Sequence, residues 1–181
     1  VESVYELSPV QQGMLFHSLY APDSGVYVEQ LSARLEGKLD AAVFARAWQQ
    51  MVDRHAALRS SFHWEGLKKP AQVVYRQLEV PLERASWRGL SAAEQQRRLT
   101  AYLNADRERG FDLAAPPLMR LALFELEEGV SQFVWSYHHL YLDGWSQALV
   151  LGEMLGCYEA LYQGRPVLLP RPRPYRHYIA W

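Results

Sequence analysis

Between Leu118 and Gln163 the residue pattern changes once from strict alternation to helical spacing, and that change restricts the fold more than any other feature. Leu118 to Leu126 and Gln132 to His139 read as two strands, with Glu127-Glu128-Gly129 as the hairpin turn between them. Ala148, Gly152, Leu155, Tyr158 and Tyr162 then recur at helical spacing, which predicts a helix over about Trp145 to Gln163 that Gly164 ends. Alternation along the second strand puts Phe133, Trp135, Tyr137 and His139 on one face and Val134, Ser136 and His138 on the other. Two adjacent histidines are therefore expected to point in opposite directions.

The rest of the chain also interleaves helices and strands. Ser8-Pro9-Val10-Gln11 combines an N-cap serine, a proline at the first helical position and a glutamine that completes a capping box, so a helix should run from about Pro9 to Tyr20. Val26 to Leu35 reads as a strand closed by Glu36-Gly37-Lys38. From Asp40, the residues Phe44, Ala47, Trp48, Met51, His55 and Leu58 recur at offsets of three and four, giving a helix to about His55 with one buried face. Ser60 to Trp64, Ala71 to Tyr75 and Val80 to Arg84 are short β-rich segments that suit a small antiparallel patch. Ser91-Ala92-Ala93-Glu94 is a second capping box, opening a helix that Gly110 can end, and Pro116-Pro117 is a break. This order of elements predicts an α/β sandwich with a mixed sheet, as a single domain or one large lobe.

At 181 residues, 49% hydrophobic and 22% charged, the chain is long enough to bury its own core. A net charge of -1 with intermixed signs gives no field for nucleic acid or an anionic membrane. The one cysteine, Cys157, falls in an apolar helical pattern and cannot form an internal disulfide, which suits a reducing cytoplasm. No stretch of about 18 apolar residues is present, and Val1-Glu2-Ser3-Val4-Tyr5 lacks the features of a signal peptide. The opening without methionine is read as that of a piece of a longer protein.

His139 stands at a strand end before the turn that leads to Asp143-Gly144, a position from which loops often present reactive groups. Imidazole titrates near neutral pH, so it can take a proton from a nucleophile and release it later, which points to acyl or proton transfer. The alternative is that both histidines are hydrogen-bonded core residues. Metal binding is a poor fit, because two histidines on opposite strand faces cannot grip one ion and no third ligand stands at a suitable spacing.

His138-His139-Leu140-Tyr141-Leu142-Asp143-Gly144 matches HHxxxDG, the signature of the condensation domains of nonribosomal peptide synthetases. Three further segments resemble that family in the same order. Leu7 to His17 resembles its opening motif, Arg54-His55-Ala56-Ala57-Leu58-Arg59-Ser60-Ser61-Phe62 resembles RHxxLRxxF, and Tyr175 to Trp181 resembles YxDFxxW, with His177 and Tyr178 departing from the usual Asp and Phe. Gly110-Phe111-Asp112-Leu113 and Pro117-Leu118-Met119-Arg120 are also typical. Epimerization relatives tend to read DGVSW where this chain has Asp143-Gly144-Trp145-Ser146, and the DxxxxD of heterocyclization relatives is absent. Phe16-His17-Ser18-Leu19 looks closer to domains that take an L-configured donor.

The resemblance implies a chloramphenicol-acetyltransferase-like fold, with residues 1–181 as the N-terminal lobe of a two-lobed domain whose second lobe is absent. It implies peptide-bond formation, in which an acyl group passes from a donor carrier-protein thioester to the α-amine of an acceptor on a second carrier protein. No bound cofactor is implied, since the substrates arrive on 4'-phosphopantetheine. The implied partners are peptidyl carrier proteins and neighbouring synthetase domains. His139 would act as the base or would orient the amine and stabilise the tetrahedral species, while His138 would be structural. Asp143 would pair with Arg59 to brace the loop, and Gly144 would leave room for substrate. The arginines Arg171, Arg173 and Arg176 read as a solvated lead-in to the last motif. Because the family's active site lies between two lobes, this chain alone is expected to turn over poorly. The competing readings are a catalytically silent lobe that only binds carrier proteins, or an epimerization-type relative.

Overall fold

The structure, a computed structural model, describes residues 1–21, 24–170, 172 and 175. Seven strands and four helices alternate along them: β1 (Ser3–Glu6), α1 (Pro9–Tyr20), β2 (Val28–Glu36), α2 (Ala41–Arg54), β3 (Ser60–His63), β4 (Ala71–Val74), β5 (Leu82–Ser86), α3 (Ala92–Arg109), β6 (Met119–Glu127), β7 (Val130–His138) and α4 (Gly144–Tyr162). This is the expected α/β architecture.

Each helix starts where its side chains can satisfy amides that have no partner within the helix. In α1 the capping box is complete: Ser8 Oγ accepts from the Gln11 amide at 3.2 Å and Gln11 Oε1 accepts from the Ser8 amide at 3.0 Å. Asp40 accepts from the amides of Ala42 and Val43 to begin α2. For α3 only half of the expected box forms. Ser91 accepts from the Glu94 amide, but the Glu94 carboxylate turns to Arg97 and Arg98.

The main sheet has the order β2-β7-β6-β5 and is mixed, with the β2–β7 and β7–β6 pairs antiparallel and β5 parallel to β6. Helices α2 and α4 cover one face, where Trp48 meets Trp135 at 4.6 Å and Phe44 meets Phe133 at 5.0 Å between ring centroids. On the other face, Tyr102 of α3 meets Phe124 at 4.9 Å. Burying these large rings supplies most of the drive for the layered packing. Cys157 is buried and free, with Gln50 Oε1 3.0 Å from its sulfur. Among the described residues no helix is long and apolar enough to cross a membrane.

Two expectations are corrected. The small antiparallel sheet has the order β1-β4-β3, so its third strand is Ser3–Glu6 and not the segment near Val80 to Arg84. That segment becomes β5 and joins the main sheet, because Val80 is buried in the larger core cluster and Trp87 stacks on Phe124 at 4.0 Å. The strand expected over Val26 to Leu35 is β2, which begins at Val28. Tyr27 has φ 68°, a left-handed conformation outside the extended region of a strand.

Candidate active site

The turn after β7 lies in a cleft of about 1010 Å³, bounded by α1, the end of α2, the start of α4 and the small sheet. His139 is half-buried on its wall. The His139 amide donates to Tyr27 O at 2.8 Å, and the left-handed backbone at Tyr27 turns that carbonyl beside the strand end. The Tyr27 ring lies 6.3 Å from the imidazole at an interplanar angle of 21°.

The imidazole itself is anchored through Nδ1, 2.7 Å from Leu142 O. A carbonyl oxygen only accepts, so Nδ1 carries the proton and the neutral ring keeps its lone pair on Nε2. Such a ring can accept one more hydrogen bond or a proton without leaving its anchor.

His138 has the opposite arrangement. It is 3% exposed and lies between Tyr27, Phe111 and α1. Its Nδ1 accepts from the Leu140 amide at 3.2 Å, so its proton sits on Nε2, 3.3 Å from Ser18 Oγ. Ser18 in turn donates to Met14 O at 2.9 Å. Both ring nitrogens are thus used inside the protein. Burial, with a smaller contribution from His139, pushes its pKa down to about 4 and keeps it neutral.

Asp143 and Arg59 do not pair as the family resemblance implied. Asp143 is exposed and caps α4, accepting from the Ser146 amide at 2.7 Å, and that hydrogen bond holds its carboxyl below the usual range. Arg59 is 7% exposed and donates to the Glu2 carboxylate and to Tyr75 O, with its Nε left unpartnered. The guanidinium is committed to the small sheet because β1 brings Glu2 to it, and the carboxylate is committed to the first turn of its own helix. Gly144 is exposed at the start of α4, and a methyl group there would meet nothing within 4 Å beyond its chain neighbours and the backbone of its own helix, so packing alone does not require glycine.

A second charged group, which sequence reasoning missed, lines the cleft. Glu153 of α4 accepts from Arg54 Nε at 2.8 Å and lies 2.8 Å from His55 Nε2. Burial raises the Glu153 pKa, but the hydrogen bonds from Arg54 and His55 outweigh it and hold the carboxyl low. The helical stripe Ser146, Leu149, Val150 and Glu153 was the available signal, since it faces the same cleft as His139. The expected solvated arginines Arg171, Arg173 and Arg176 lie outside the described residues, as do His177 and Tyr178 of the last motif.

A sequence model of the family described as Condensation domain matches residues 1–181, the entire chain. The chain belongs to the condensation-domain family. Linear gramicidin synthase subunits B and D of Brevibacillus parabrevis align with this condensation-domain chain over all 181 residues at 50% and 48% identity, and the chain spans 4% of the length of each. A crystal structure of the starter condensation domain of rhizomide synthetase superposes with a TM-score of 0.88 at 23% sequence identity. That match covers 99% of this chain and 44% of the other, so the condensation-domain fold is shared across the chain and extends beyond it in the solved protein.

Proposed function

We propose that this chain carries the reacting histidine of a peptide-bond-forming condensation site in a nonribosomal peptide synthetase. The α-amine of an acceptor attacks the thioester carbonyl of a donor; a C–N bond forms, the C–S bond breaks, and the thiol leaves. Both substrates arrive on the phosphopantetheine arms of carrier proteins, with an L-configured donor as Phe16-His17-Ser18-Leu19 suggests, and the reaction runs in the cytoplasm.

The observation that carries this reading is the ring of His139, anchored through Nδ1 and with Nε2 spare at a cleft wall. Nε2 accepts a proton from the attacking nitrogen and returns it to the departing sulfur, so the imidazole is regenerated. With an α-amine pKa of about 8, roughly a tenth of the acceptor is already unprotonated at pH 7, which lightens the task of the base. Asp143 holds the start of α4 beside this ring, while Arg59 braces the small sheet beneath it. Gly144 leaves the approach open.

Residues 1–181 form the N-terminal lobe in this reading, and the cleft is completed by the remainder of the domain. The partial coverage of the solved condensation domain supports that division. Condensation by this chain alone and by the full domain, each with loaded donor and acceptor carriers, tests it. The full domain turns over and the isolated chain does not. Comparable turnover by the two would overturn the shared cleft.

A further inference from the structure

Gln11 was recognised in the sequence as half of a capping box, yet its side chain does more than cap α1. Its Oε1 faces the Ser8 amide at 3.0 Å, which directs Nε2 into the protein. There Nε2 donates to Gln72 Oε1 at 3.2 Å and to Leu140 O at 3.4 Å. Gln72, 1% exposed, passes the chain on from Nε2 to Ser60 Oγ at 2.9 Å, and Ser60 donates to Ala56 O at 2.8 Å. Gln11 Nε2 donates to two separate oxygens, so the amide of Gln11 cannot flip without placing oxygen against oxygen at two points.

The run ends where the active-site turn begins. The backbone of Leu140 is held on both sides, its N–H by His138 Nδ1 and its carbonyl by Gln11. Tyr141, the next residue, donates its hydroxyl to Ser60 O at 2.6 Å and accepts from the Leu118 amide at 3.0 Å. Ser60 therefore receives the chain from Gln72 through its hydroxyl and the turn from Tyr141 through its carbonyl. His139 sits immediately before this doubly held residue, and its imidazole depends on the position of Leu142 O, two residues beyond Leu140.

We propose that Gln11 is a positioning residue for His139: through Leu140 O and the Gln72–Ser60 relay, helix α1 sets the turn that aims the imidazole into the cleft. The inference rests on the reading of His139 as the reacting group. Displacing a reacting group by about 1 Å can cost on the order of a hundredfold in rate, so even a long hydrogen bond that fixes the turn matters to turnover.

The test uses the full condensation domain with loaded carriers, together with 15N NMR of the histidine rings. Gln11→Ala is expected to lower kcat about tenfold or more with KM changed less than about twofold, and to shift the His139 ring nitrogens. Asp40→Ala removes the cap of α2 away from the cleft and serves as a control for lost stability. It should lower Tm without moving kcat or the ring signals. A Gln11→Ala kcat within about twofold of the parent, or unchanged His139 signals, would overturn the proposal. If that variant does not fold, Gln72→Leu keeps the α1 cap and should shift the same ring signals; unchanged signals there would also overturn it. His139→Ala separates the two readings: full turnover by that variant removes His139 as the reacting group, while the ring shifts still decide whether Gln11 positions it.

Discussion

The two faces of strand β7 present the same side chain to different surroundings. Toward α1 and Phe111, His138 is enclosed and spends both ring nitrogens on protein partners. Toward the cleft, His139 spends one nitrogen on Leu142 O and keeps the other. Both rings start from one intrinsic chemistry, and the alternation that ends β7 at His138, with the hydrogen bonds of His139 to Tyr27 O and Leu142 O, sends them to opposite sides. What separates a structural imidazole from a reactive one here is the number of nitrogens left over after folding. Burial reinforces the split, because a second ring proton on His138 Nδ1 would face the Leu140 amide with neither solvent nor an acceptor.

Alanine substitution should break the comparison most visibly. In the full domain, His139→Ala should lower the rate of condensation by about a hundredfold or more while leaving the unfolding midpoint close to that of the parent. His138→Ala should do the reverse, costing about 3 kcal/mol in urea unfolding because it opens a cavity and strands the Leu140 amide. Similar stability losses for the two variants, with similar rates, would erase the distinction drawn between the faces.

Acid should weaken the fold through the buried side of the strand. The folded pKa of His138, about 4, lies below its ordinary value near 6.5, so the unfolded chain binds more protons between those limits. Stability is fully present above about pH 6.5 and falls as the pH drops toward 4, by about 2 kcal/mol at pH 5. Thermal unfolding followed from pH 7.5 to 5, above the range where most carboxylates titrate, reads this loss. The slope should vanish in His138→Gln if that imidazole is its source.

Smaller effects sharpen the cleft side. Arg59→Ala should destabilise by about 2 kcal/mol, since it strips a buried cation from Glu2 and Tyr75 O. Asp143→Ala should cost about 1 kcal/mol as a lost helix cap, and Asp143→Asn should cost less than about 0.5 kcal/mol because asparagine caps equally well. If Asp143→Asn were as damaging as Arg59→Ala, the two residues would be paired after all.

Long, strongly patterned segments were legible from the sequence: the capping box of α1, the apolar face of α2, the β6–β7 hairpin and the divergence of the two histidines. Each depends on residues within a few positions of one another. Elements whose identity depends on distant partners were not legible. Ser3–Glu6 is too short to show alternation, so the strand that delivers Glu2 to Arg59 went unseen, and the pairing with Asp143 that the family resemblance implied had no competitor. The sheet membership of β5 is decided by Trp87 stacking on a residue more than 30 positions away. At the site, Tyr27, Glu153 and the inward reach of Gln11 acquire their roles only when the chain closes on itself.

The most direct measurement is the ring tautomer of each histidine, read from 15N chemical shifts of the full domain labelled at histidine, near pH 7.5. His139 should carry its proton on Nδ1 with Nε2 bare, and His138 should carry it on Nε2 with Nδ1 bare. The same tautomer in both rings, or a proton on Nε2 of His139, would contradict the assignment of a spare, proton-accepting nitrogen to the cleft.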